Sequence, residues 1–314
     1  MAFGRRGQTC TVRHDAFFER IRETTWRVLA LAIVAWVGTT TLLNFVGGQF
    51  AVREALGAVE RATGGLVQGP LVAGPFYFVI MGAVIFGVGR LRGSDVGWRL
   101  TAAVPALLVT LAFWAAMQPA LALWVVLSGD QFRWNEAWSE RGAGWFAGQL
   151  LAQLLGNALL EETVFRGFFL PQFCLKASAH FRPAAALLVV LVGSSVLFAL
   201  THIPHRLFFL RWPAEELLHD QLKPLLAGLT YGTLYLVTRN IFICVGLHSL
   251  FNQPARLLPV PFSPGVEIVW YGLVLVLLVA WPIGRRFRGR RRASIAEGKI
   301  AQAPASQGTV RGET

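Results

Sequence analysis

Apolar runs of about 20 residues recur along this chain from residue 26 to residue 284, and ~20 residues is the length a helix needs to cross ~30 Å of hydrocarbon. Of the 314 residues 54% are hydrophobic and only 15% are charged, against roughly 25% charged in a soluble domain. The recurrence therefore defines a polytopic membrane protein, not a globule with a single anchor. The expected fold class is all-α, a transmembrane helical bundle of about eight membrane-spanning helices. They are laid down at 26–46, 71–90, 100–127, 146–170, 185–209, 222–238, 240–256 and 266–284. Pro119, in the second half of the third span, predicts a kink. The sixth and seventh spans are short and are separated only around Arg239 and Asn240.

Charge sets the orientation. An even number of spans puts both ends on one side, and on that side fall 21 of the 29 Lys and Arg residues. Positive-inside bias then makes both termini cytoplasmic. Arg-over-Lys usage and the simple architecture point to a bacterial plasma membrane. The formal charge of +12 does not imply nucleic acid as a partner, because the basic residues lie at span ends and in the tails with no aromatic-interleaved groove. No cleavable signal peptide is read in the first 25 residues. The three cysteines, Cys10, Cys174 and Cys244, fit no disulfide framework. The chain divides into a basic N-terminal segment (1–25), accessory spans (26–142), a core (143–256), a last span (257–284) and a basic disordered tail (285–314). In the tail, the run from Arg285 to Arg292 is suited to anionic headgroups of the lipid bilayer.

Ionisable groups inside spans cost about 2.5–3.5 kcal/mol each on insertion scales, so each needs a reason. In the fourth span Gln149, Gln153, Asn157 and Glu161 recur at spacing four, followed by Glu162 and Arg166. That spacing makes one slowly drifting polar stripe, which must face protein or water. Glu161 and Glu162 are adjacent, so their side chains diverge by about 100° and cannot share one task. Glu162 stands four residues before Arg166, the favourable order for an intrahelical ion pair, which gives these two a structural role. Glu161 belongs to the stripe and lacks a local cation, which suits a general base in a low-dielectric cavity.

A second cluster, Phe198 to His202, closes the fifth span, and a third, His248 to Asn252, lies in the seventh, where spacing four puts both residues on one face. Taken alone, His202 reads as an interhelical hydrogen-bonding group, and His205, His219, Glu215, Glu216 and Asp220 read as a solvated loop. Together, one carboxylate, two imidazoles and an amide on intramembrane helices make a hydrolytic set. A base activates water, and His248 and Asn252 supply donors for an oxyanion.

The order Glu161-Glu162-x-x-x-Arg166, Phe198-x-x-x-His202, His248-x-x-x-Asn252 resembles the CPBP family of intramembrane proteases, which includes the CAAX prenyl endopeptidases and bacteriocin-processing or immunity proteins. The resemblance covers about 145–256. It implies that Glu161 activates the attacking water, that His202 assists, that His248 and Asn252 stabilise the oxyanion, and that Glu162 and Arg166, with Phe198, support the site. It also raises zinc as a cofactor held by Glu161, His202 and His248 with an open position for water; a metal-free glutamate mechanism uses the same residues. The implied function is an intramembrane endopeptidase acting on a membrane-associated peptide or protein. The alternatives are a non-proteolytic scaffold or immunity protein with the same fold, and a transporter, against which no inverted repeat is found. One geometric condition follows. Glu161 and His202 lie on helices that cross in opposite directions, so they meet only if the fourth crossing starts near residue 150 and the fifth shifts to about 189–210.

Overall fold

Proline decides where several of the apolar runs stop. In a computed structural model that describes residues 21–129, 131–258 and 264–301, every regular element among the described residues is helical, as the composition requires. The helices are α1 (Trp26–Gly47), α2 (Phe50–Ala62), α3 (Gly69–Gly82), α4 (Ala103–Leu127), α5 (Ala137–Leu151), α6 (Leu159–Glu162), α7 (Leu170–Ala177), α8 (Pro183–Leu200), α9 (Ala214–Asp220), α10 (Leu222–Thr238), α11 (Ile241–Asn252) and α12 (Pro264–Ala301). Residues 1–20, which hold most of the predicted N-terminal segment and Cys10, and the tail beyond Ala301 lie outside the described residues.

Five rods are long and apolar enough to cross a membrane: Trp26–Gly47, Gly69–Val88, Gly93–Leu127, Pro183–Leu210 and Gly265–Arg286. Three further rods complete the expected eight. α5, α6 and α7 join through wide π-helical stretches, Ala152–Ala158 and Thr163–Phe169, into one continuous charged rod. α10 and α11 are short, with 17 and 12 residues. These three carry or surround the charged motifs, and α11 is buried at every position from Ile243 to Leu250. Protein, not lipid, is the environment of its polar groups, which is the condition under which they are tolerated.

Several boundaries differ from the expected ones for definite reasons. α8 ends at Leu200, not near 209, because Pro204 has no N–H to give the Leu200 carbonyl and its ring would strike it; a separate π-helical turn, His205–Leu210, follows. α11 ends at Asn252, not 256. Pro254 drives Gln253 out of the helical region, to φ −139° and ψ 83°. α12 continues to Ala301, so the basic run from Arg285 extends the last helix instead of opening a disordered tail; Arg, Ala and Ile there form helix readily. Pro119 sits within a continuous α4. Between α1 and α3, α2 is an amphipathic helix with no buried residue.

Contacts sort the connections into two layers, as alternate crossing demands. At one end Arg22 reaches Asp95 and the Arg90 carbonyl, Gln172 exchanges bonds with Thr24 and Arg22, and Asn240 donates to the Ala102 carbonyl. At the other end Arg53 donates to the Phe209 carbonyl, Arg211 to Gly48, Trp145 to Glu60, and Asn135 to Arg256. Small residues draw the inner rods together. A Cβ on Gly228 would lie 2.8 Å from Ser195 Cβ, so α10 meets α8 backbone to side chain. Gly228→Leu is expected to lower the thermal midpoint measured in detergent, since overpacking a tight contact costs about 1–3 kcal/mol.

Candidate active site

The fourth rod runs from α5 to Ala177 and α8 begins at Pro183, so the boundaries differ from those the depth condition named. At ~1.5 Å per residue, Glu161 lies about 24 Å from the Ala177 end, and His202 about 28 Å from the start of α8 at Pro183. The third motif reaches the same level by another route. Gly167 touches Val96 and Ile241; from that plane Glu161 stands about 9 Å up its rod and His248 about 10 Å up α11.

Glu162 is the centre of a buried ion-pair network. Its Oε1 accepts from Arg166 Nη1 at 3.1 Å and from His248 Nδ1 at 2.7 Å, and its side chain is 0% exposed. Arg166 also donates to the Gly228 carbonyl at 3.2 Å. The guanidinium lies 4.4 Å from the Phe198 ring centroid and 5.3 Å from that of Tyr231, cation–π contacts that accompany its desolvation. Tyr231 in turn stacks on the His248 imidazole, with centroids 4.7 Å apart and planes 18° apart. His248 is thereby fixed on both an edge and a face. A carboxylate only accepts, so Nδ1 carries the proton and Nε2 is the nitrogen presented to the site.

What Nε2 faces is Glu161, whose Oε2 lies 3.7 Å away, too far for a hydrogen bond. Neither that oxygen nor Glu162 Oε2 accepts a hydrogen bond from any described residue. The Glu161 side chain is 14% exposed where Glu162 has none, and this difference selects which of the adjacent carboxylates can meet water. Gln149, Gln153 and Asn157 are half-buried like Glu161. The wide turns of Ala152–Ala158 hold more residues per turn than an α-helix and so reduce the drift of a spacing-four stripe.

The remaining predicted residues are placed as follows. His202 Nδ1 donates to the Phe198 carbonyl at 2.8 Å, which leaves Nε2 as an acceptor, and its ring stands edge-on to Phe198 at 4.6 Å. Phe198 also neighbours His248, at 6.3 Å. Asn252 is exposed, and its amide donates to Gln153 at 3.0 Å; Asn157 donates to the same oxygen at 3.2 Å. The structure thus gathers Glu161, Glu162, Arg166 and His248 tightly. It puts His202 beside Phe198 and ties Asn252 to the stripe one turn above. Tyr231 and Gln153 are partners that the motifs do not announce. Gln153 was visible as a stripe member; for Tyr231 the only signal is its place between Gly228 and Gly232, where close packing occurs.

Among the described residues no three of His, Cys, Asp and Glu stand together so as to hold a metal ion. In the set of Glu161, His202 and His248, both imidazoles bond through Nδ1, to the Phe198 carbonyl and to Glu162, and so turn Nε2 away from those partners.

An all-helical bundle with a network of carboxylate, guanidinium and imidazole sealed among rings defines an integral membrane protein with a protected polar centre. Residues 143–253, which contain all three motifs, match the family model described as Type II CAAX prenyl endopeptidase Rce1-like. This stretch is similar to the CPBP/CAAX-protease family, and the chain that holds it is an integral membrane protein. No curated protein and no solved structure matches it.

Proposed function

We propose that the chain is an intramembrane endopeptidase in which Glu161 is the general base for an attacking water. The observation that carries this reading is the contrast between two neighbouring carboxylates: Glu162, 0% exposed, takes Arg166 and His248 on Oε1, whereas Glu161 is 14% exposed and the nearest His248 nitrogen stands 3.7 Å from its Oε2. Water between Glu161 and a peptide carbonyl would lose its proton to the carboxylate, and the developing oxyanion needs donors. His248 can donate from Nε2 as an imidazolium, whose charge Glu162 balances from the far side. Asn252, presented by Gln153, adds an amide at the mouth. His202 keeps an acceptor nitrogen for a second proton in transit. The substrate class is a membrane-associated peptide or protein, and the orientation with both termini cytoplasmic is part of the same reading.

Peptidomic comparison of membranes holding the wild-type chain or Glu161→Ala tests it. At least one peptide should appear only with the wild type. Identical peptide sets, with both proteins inserted at equal levels, would leave a scaffold of the same fold.

A further inference from the structure

A cavity of about 400 Å³ opens between the start of α1, α7 and α8, at the basic end of the bundle and away from the candidate active site; its lining includes Trp26, Phe173, Lys176, Phe181, Gly193 and Leu197. Its volume lies within the roughly 300–1,000 Å³ of small-molecule sites. Its shape follows α8: the lining residues of that helix run from Val189 to Leu197, about 12 Å of rise from the α7–α8 turn towards the membrane interior.

Three features say what fits. The body of the slot is apolar. The hydroxyl of Ser194, the one polar group far from the mouth, is already turned to the Leu191 carbonyl at 3.2 Å. A Cβ on Gly193 would meet nothing within 4 Å, so here glycine leaves room that no other part of the described chain fills, unlike Gly228. The mouth, by contrast, is cationic. Lys176 Nζ donates to Glu23 and to the Thr24 carbonyl, both at 2.6 Å, and keeps one of its three N–H bonds. Arg27 and Arg182, next in sequence to the lining residues Trp26 and Phe181, are exposed. Glu23, the acid at this mouth, is taken by Lys176. Trp26 and Phe181, 60% and 49% exposed, flank the opening as rings do at a membrane interface.

We propose that this slot holds an acyl chain of an anionic phospholipid from the surrounding bilayer, with the phosphate at Lys176, Arg27 and Arg182 and the chain lying along α8 past Gly193 to Leu197. An apolar slot with a basic rim at interfacial depth matches that ligand at both ends. The inference requires only that the protein sits in a membrane, and it stands apart from the peptidase reading.

The test uses the full chain, purified in detergent and depleted of lipid, then titrated with dioleoylphosphatidylglycerol or dioleoylphosphatidylcholine while retained lipid is counted by native mass spectrometry. One phosphatidylglycerol should be retained at least tenfold more tightly than phosphatidylcholine. Gly193→Leu should weaken it at least tenfold with an unchanged or raised thermal midpoint, because Leu enters open space and favours helix. The exposed pair Arg27→Gln/Arg182→Gln should reduce the preference for the anionic lipid several-fold without altering stability. Undiminished retention by Gly193→Leu, or equal retention of the two lipids by the wild type, would overturn the proposal. So would displacement of phosphatidylglycerol by a prenylated peptide at equal concentration, which would make the slot a substrate subsite.

Discussion

Arg166→Met is expected to destabilise the protein by about 3–5 kcal/mol, the usual consequence of leaving a buried charge without its partner. For a chain of this size that is a fall of roughly 6–10 °C in thermal midpoint. The reason lies in Glu162, which is fully buried and has Arg166 at 3.1 Å as its cation. The guanidinium also fills the space between Phe198 and Tyr231 and binds the Gly228 carbonyl, so α8 and α10 lose contacts in the same event. Adding Glu162→Gln to Arg166→Met should recover most of the loss, since the amide removes the orphaned charge and still offers His248 an acceptor. Thermal unfolding of the three proteins in one detergent checks this. If Arg166→Met alone melts with the wild type, the network does not bear on the fold as described.

Glu161→Gln should behave in the opposite way. Its Oε2 accepts no hydrogen bond, so the amide removes no stabilising partner and the thermal midpoint should stay or rise. Cleavage in proteoliposomes, measured on a substrate identified from the membrane peptidome, should fall by about 10²–10⁴-fold, the usual contribution of a positioned base. Glu162→Gln should lower stability and rate together. The comparison of the two adjacent substitutions separates a chemical role from a structural one, and a Glu161→Gln protein within threefold of wild-type rate would refute the assignment.

Much of this was legible because spacing within one helix survives folding. The Glu162–Arg166 pair, the stripe ending at Glu161, and the divergence of the two adjacent carboxylates need only 3.6 residues per turn. What a tertiary contact decides was not legible. His248 commits Nδ1 to Glu162 and leaves Glu161 the far nitrogen, and Asn252 pairs with Gln153, because α11 stops at Asn252 and meets the stripe there. Pro204 and Pro254 stood in the sequence, but an apolar run outweighs a single proline when spans are drawn by hydropathy. Of the eight expected spans, five are rods long and apolar enough to cross a membrane among the described residues and three are shorter or charged, and the rod that reaches Ala177 exceeds its drawn length.

The brevity of α11 has a mechanical meaning. Twelve residues rise only about 18 Å, well short of the ~30 Å hydrocarbon core, and the helix is enclosed from Ile243 to Leu250. When a bilayer thickens or thins, the strain of hydrophobic mismatch is taken up by tilting of the long outer rods. The imidazole of His248 rides on a member insulated from that strain, so membranes of different thickness should leave the spacing around the carboxylates largely unchanged.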